Sequence, residues 1–293
     1  MSGDPTLLYI MGTGRSGTTV LEILLGASPG VSGLGELKLI FRDGWIANTP
    51  CACGRPARQC RFWSAIMRDV GWSQAEVVST SRFLHRIEAH GRFPLVALGL
   101  VAAGDRERYR AVHESLLAAA ACVAGAGTLV ESSMYPARAV LLARTLRGRV
   151  KVLMMSRDPA GLMTAFAKPN ESEQRPKSVV GTLLYYGWVM ACARVAAWLI
   201  PGGVCHVRFE DLKRDPEGTL ARVGAWAGID TSPVRRRLEA NGSFGVGHIV
   251  TGNRLRKAGE IRFSRALEPT VSRGVAGRVA VAIMQAWRWL LRW

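Results

Sequence analysis

Residues 7–26 read LLYIMGTGRSGTTVLEILLG, and no other stretch constrains the fold as much. A continuous apolar run, a glycine-rich turn and a second apolar run predict a strand, a turn and a helix. Such a turn aims backbone N–H groups and the positive end of the helix at an anion. Its commonest form is GxxxxGK[ST]. Here the frame is GTGRSG (12–17), but Thr18 stands where the lysine belongs and Thr19 follows. Arg15 offers a planar cationic fork suited to oxyanions in its place. Gly14, Arg15, Ser16, Gly17, Thr18 and Thr19 are therefore the expected phosphate contacts. The plainer alternative is an ordinary turn between strand and helix.

The rest of the chain repeats that alternation. Strands are predicted at 7–11, 31–34, 128–131, 150–155 and 204–209. Helices are predicted at 18–27, 61–70, 74–90, 105–124, 136–146, 179–199, 216–227 and 233–239, with an amphipathic helix at 275–293. Strands alternating with helices imply an α/β fold with a parallel central sheet flanked by helices. Residues 42–62 read as a Cys/Gly-rich insertion, while 168–177 and 241–262 read as loops. No repeat or linker divides residues 1–293, so one domain is expected.

Apolar residues make up 48% of the 293 and charged residues 21%, a globular balance. The formal charge of +17 favours anionic partners without choosing among nucleotide, acidic substrate, nucleic acid and membrane. No secretory leader pattern precedes the first strand, so a cytoplasmic location with mostly free thiols is expected. No stretch reads as long and apolar enough to span a membrane.

A nucleoside-triphosphate hydrolase would use the loop lysine and a strand-end aspartate for Mg²⁺. Here the 150–155 strand leads into Ser156-Arg157. That favours a nucleotide held by cationic side chains, with no metal expected. GTGRSGTT resembles the 5′-phosphosulfate loop of sulfotransferases that use 3′-phosphoadenosine 5′-phosphosulfate (PAPS). SRDP (156–159) resembles their 3′-phosphate motif. VRFEDL (207–212) with the following Asp215-Pro216 resembles their RYEDL-x-x-DP stretch. HIVTGNRLR (248–256) is similar to the C-terminal HxxxGNPxR segment of bacterial members, and CACGRPARQCRFW (51–63) to an insertion in some of them. The motifs fall in family order over most of the chain.

The resemblance implies the P-loop-like sulfotransferase fold and sulfuryl transfer from PAPS, as co-substrate, to a hydroxyl or amine of a small-molecule, carbohydrate or lipid acceptor. The product nucleotide would be adenosine 3′,5′-bisphosphate. Arg15, Thr18, Thr19 and the loop amides would receive the leaving phosphate's charge. Glu36, twenty-one residues after Arg15, stands at the spacing of the family's proposed catalytic base. A carboxylate beside an anionic donor has its pKa drawn upward, nearer the working pH. Arg157 is expected to grip the 3′-phosphate, with Thr164, Arg254 and Arg256 as further contacts. Two positions depart from the pattern. A serine common eight residues beyond the arginine is Ala165 here, with Thr164 one place earlier. A lysine common in a DSSK-like stretch is Met134, after Glu131-Ser132-Ser133. Arg15 or Lys168 would have to replace that cation, or turnover would be weak.

Cys51, Cys53 and Cys60 supply three soft ligands where a zinc site usually wants four. Cys122, Cys192 or a histidine could complete it, and free thiols or a local disulfide are the alternatives; a structural turn without metal is the favoured reading. The ending QAWRWLLRW (285–293) suits packing on the same domain, a homodimer contact or a peripheral membrane contact. Two rivals remain: a P-loop small-molecule kinase, which the absent lysine opposes, and a basic nucleic-acid-binding protein. No nucleic-acid-recognition signature is present, so nucleic acid is not an expected partner.

Overall fold

The apolar run at the start of the chain is the central strand, β1 (Thr6–Gly12), and it is apolar throughout because both of its faces are covered. Leu7, Tyr9 and Met11 enter one core cluster, and Leu8 and Ile10 the other. The structure is a computed structural model that describes residues 4–168, 176–251, 254–267, 270 and 273–290, the side chain of Arg254 apart.

After β1 come α1 (Thr18–Gly26) and the short β2 (Val31–Gly33). The predicted insertion opens with a π-helical turn, Ile40–Ile46, and ends in α2 (Arg61–Val70). α3 (Gln74–Ile87) carries a full capping box, with Ser73 and Glu76 satisfying each other's backbone N–H groups. α4 (Phe93–Ala97) and α5 (Ala103–Ala124) follow. Then β3 (Thr128–Met134), α6 (Pro136–Thr145), β4 (Val150–Ser156) and α7 (Pro159–Ala167) alternate, as the sequence implied. α8 (Val179–Leu199), β5 (Val204–Arg208), α9 (Phe209–Arg214), α10 (Pro216–Ala227) and α11 (Ser232–Glu239) continue the pattern. The chain closes with α12 (Gly274–Leu290).

The main sheet has five strands in the order β2-β3-β1-β4-β5, and every pairing is parallel. β1 therefore sits between β3 and β4, which places the turn after it at the crevice where ligands enter open α/β sheets. The described sheet is the expected fold, with helices on both faces.

Several local readings are corrected. β3 runs three residues past 131 because Ser132 and Ser133 find buried partners inside the fold. The stretch read as loop at 241–262 contains an antiparallel pair, β6 (Ser243–Gly245) with β7 (Glu260–Arg262). The helix Val179–Leu199 is, by length and composition, apolar enough to cross a membrane, contrary to the sequence reading. In the fold it packs against the rest of the chain: a Cβ on its Gly187 would lie 2.3 Å from the Trp287 ring of α12. One face of α12 thus docks on its own molecule, while Val275, Val279, Ile283 and Trp289 stay exposed. Arg292 and Trp293 lie outside the described residues, as does most of the loop expected at 168–177.

Candidate functional site

The turn between β1 and α1 is closely packed and has the geometry that can receive an anion. A Cβ at Gly12 would meet the Met155 carbonyl at 2.3 Å, and one at Gly17 would meet the Phe209 ring at 2.3 Å. Gly17 is also left-handed, at φ 95°, and it begins α1 without any side-chain cap. The first-turn N–H groups of α1 are thus left to an incoming acceptor. Arg15 is left-handed too, at φ 67°. For a residue with a Cβ that conformation costs roughly 1–3 kcal/mol, a strain found at ligand-gripping turns. Ser16 is buried and donates to the Thr13 carbonyl at 2.7 Å, bracing the loop from inside. Thr18 and Thr19 are buried at the start of α1. The Gly14 amide donates to the Tyr185 hydroxyl at 2.8 Å, which ties the loop to α8.

Glu36 follows β2 and is half-buried. Burial raises the Tyr135 phenol to about 12 and lifts that of Tyr185 as well, and in both the Glu36 carboxylate adds to the rise. Because Tyr185 also holds Gly14, the fold brings Glu36 to the loop side of the sheet. The turn that carries it hangs on Glu22 of α1. The Gly35 amide and the Ser132 hydroxyl both donate to the buried Glu22 carboxylate. Burial outweighs those bonds and lifts the Glu22 pKa to about 7. Sequence reasoning missed Glu22, since a glutamate inside a helix looks like any surface residue.

Arg157 lies at the end of β4. Its guanidinium donates to the Arg15 carbonyl at 3.0 Å and stands 4.7 Å from the centre of the Phe209 ring. Asp158 caps α7 by accepting from the Ala160 amide at 3.0 Å, and it accepts from Gln285 at 2.7 Å. Ser156 shares a 2.7 Å hydrogen bond with His206. Burial, with Arg288, Arg208 and Arg222 nearby, lowers the His206 pKa to about 4. Thr164 is buried, and its hydroxyl donates to the Ala160 carbonyl at 2.9 Å.

At the place of the absent lysine, Met134 ends β3 in a left-handed conformation, φ 73°. Ser133 is engaged: it accepts from the Lys38 amide at 3.0 Å and donates to Glu131. Behind it lies a buried charge cluster. Arg138 grips Glu131 with two nitrogens, at 2.6 and 2.9 Å, and also donates to Glu88. Glu88 accepts from Lys38 at 3.0 Å and from Tyr109 at 2.7 Å. Burial opposes the charge on Glu88, but Arg138 and Lys38 hold its pKa at about 2. Two cations thus face two carboxylates, with His113 kept neutral by burial. A different cation reaches the loop side. Lys177 lies 5.1 Å from the centre of the Tyr185 ring and 5.8 Å from that of Phe166. Burial, then Lys38 and Lys177, lower the His90 pKa to about 4, and His90 stacks on Tyr135 at 4.4 Å. Lys177 was hidden in sequence because it closes a polar stretch with no pattern of its own.

Arg256 is buried and donates to the Pro50 carbonyl at 2.9 Å, so it joins the C-terminal segment to the insertion. The Arg254 side chain lies outside the described residues. The structure thus gathers Gly14 to Thr19, Glu36 and Arg157 around the C-terminal ends of β1, β2 and β4.

The chain matches the family described as the Sulfotransferase family (Sulfotransfer_3) over residues 6–233. Among solved structures it resembles the sulfotransferase domain from the curacin biosynthetic pathway. That likeness has 12% identity and a TM-score of 0.50, covering 96% of this chain and 98% of that one. It also resembles sulfotransferase STF1 from Mycobacterium tuberculosis H37Rv, with 17% identity and a TM-score of 0.52, covering 83% and 73%. At these identities the structural likeness speaks to the fold alone. No curated protein matches the chain.

Proposed function

The chain belongs to the sulfotransferase family, and on that premise we propose that it transfers a sulfuryl group from PAPS to an acceptor hydroxyl or amine. The observation that carries the donor assignment is the pairing of two arginines at one turn. Arg15 sits inside an uncapped, left-handed anion turn, and Arg157 is anchored to its backbone at 3.0 Å. The turn suits the 5′-phosphosulfate, and Arg157 suits the 3′-phosphate that distinguishes this donor from ATP.

In the transfer, the acceptor oxygen attacks sulfur in line with the departing bond. The acceptor proton passes to the Glu36 carboxylate. The bond between sulfur and the 5′-phosphate oxygen breaks, and its electron pair stays with the phosphate. The amides at the start of α1, the hydroxyls of Thr18 and Thr19, and Arg15 receive that charge without reorganising. Lys177, over Tyr185, supplies the nearby positive charge that Met134 cannot. Glu22 and Tyr185 act by position: one holds the Glu36 turn, the other holds Gly14.

The test is incubation with PAPS carrying labelled sulfate and a panel of phenols, sugars and amines. Label should move to an acceptor without added Mg²⁺. Label moving from the γ-phosphate of ATP instead, and only with Mg²⁺, would contradict the reading.

A further inference from the structure

The insertion and the C-terminal segment meet at a cluster that sulfuryl transfer does not use. Cys51, Cys53 and Cys60 gather around His248, and their ligand atoms all lie within 4.8 Å of one another. Cys60 Sγ lies 3.2 Å from His248 Nδ1, and Cys51 Sγ lies 3.8 Å from it. Zinc bonds sulfur at about 2.3 Å and imidazole nitrogen at about 2.0–2.1 Å, which sets such ligand atoms roughly 3.5–3.8 Å apart around a tetrahedron. The three cysteines alone are one ligand short; the fold brings the fourth from 188 residues beyond Cys60.

We propose that Cys51, Cys53, Cys60 and His248 form a closed structural zinc site that pins the C-terminal segment to the cysteine-bearing insertion. Three thiolates and one imidazole, with no position left open, suit zinc and a structural role.

The surroundings are those of an ordered metal shell. The Trp63 indole N–H donates to the His248 carbonyl at 2.5 Å, and the Phe62 ring stacks on the imidazole at 5.0 Å. The Ala52 amide, between two of the cysteines, donates to the Ile249 carbonyl at 2.8 Å. The Cys51 amide donates to the Arg55 carbonyl at 2.8 Å and the Gly54 amide to the Cys51 carbonyl at 2.9 Å, closing a tight knuckle. Left-handed Gly54 makes that turn, at φ 82°. The tether reaches toward the Glu36 turn, because a Cβ on Gly35 would lie 3.2 Å from Ile249, the neighbour of His248.

The experiment is elemental analysis of the full chain purified under reducing conditions from zinc-supplemented culture. The wild type should hold about one zinc per chain, and the Cys51→Ser/Cys60→Ser variant less than about a tenth of that. Cys122→Ser, outside the cluster, should keep its zinc. A wild type with only trace zinc overturns the proposal, as does undiminished zinc in the double variant. Should the double variant fail to fold, cobalt exchanged into the wild type decides. Strong thiolate-to-cobalt absorption with the visible bands of a tetrahedral ion is expected. Weak bands of a six-coordinate oxygen site, or an intact mass showing a disulfide among these cysteines, would overturn it.

Discussion

The Arg157 guanidinium donates to the main-chain carbonyl of Arg15 at 3.0 Å, so the end of β4 and the turn after β1 are held as one unit. The bond fixes a left-handed residue in place and holds the Arg157 side chain at the turn that carries Arg15. Replacing Arg157 with alanine should weaken PAPS binding by about 1.5–3 kcal/mol, the worth of hydrogen bonds to a charged group. Acceptor KM should barely move. Lysine at 157 should rescue little, since a point charge cannot both hold the carbonyl and fork a phosphate. Donor and acceptor KM values measured separately check this; equal loss in both would remove the 3′-phosphate role.

Glu36→Gln should lower transfer by about 10²–10⁴-fold, the usual worth of a general base. Affinity for adenosine 3′,5′-bisphosphate should stay within about threefold, because the variant keeps the shape of the turn. Full turnover in this variant would rule Glu36 out as the base.

Tyr185→Phe deletes only the hydroxyl that accepts from the Gly14 amide. The loop loses one brace, and donor affinity should fall by about 1 kcal/mol, roughly fivefold. Thermal denaturation should be nearly unchanged, which separates a loosened loop from a damaged core.

Glu22 makes a prediction about pH. Burial raises its folded pKa to about 7, above the ordinary glutamate value of 4.5 that holds in the unfolded chain. The folded chain then holds this proton more tightly than the unfolded chain. The stabilisation is whole below the unfolded pKa and is lost as pH rises through about 7. The full swing is on the order of 3 kcal/mol. Burial lowers His90, His113 and His206, so they work in the opposite direction below their unfolded value. The useful quantity is therefore the difference between wild type and Glu22→Gln in urea denaturation at pH 5 and pH 8. The wild type should lose more stability than the variant on going to pH 8. A constant difference would show that Glu22 is charged at both.

The parts legible in sequence were those with a local signature. The run at 7–11 declared a strand covered on both faces, and GTGRSGTT declared the glycine-rich turn between strand and helix, because each rests on neighbours in the chain. The parts that stayed hidden depend on distant chain segments meeting. Glu22 matters because Gly35 and Ser132 fold onto it. β3 continues past 131 to Met134 because Ser132 and Ser133 meet Glu22 and the Lys38 amide, which lie on other elements. His248 gains a role only beside Cys51 and Cys60, which no spacing rule could connect across the chain.

Arg138→Met removes one of the two buried cations that face Glu88 and Glu131. It leaves a carboxylate uncompensated and should cost about 3–5 kcal/mol of stability. Chemical denaturation checks this; a change below about 1 kcal/mol would mean the cluster is more hydrated than its geometry implies.

Calorimetric titration of adenosine 3′,5′-bisphosphate and of ATP, each in the presence of a chelator, tests the account most directly. The bisphosphate should bind at least about tenfold more tightly than ATP, and Arg157→Ala should remove most of that preference. Equal binding of the two nucleotides, or ATP binding that appears only when Mg²⁺ is restored, would contradict it.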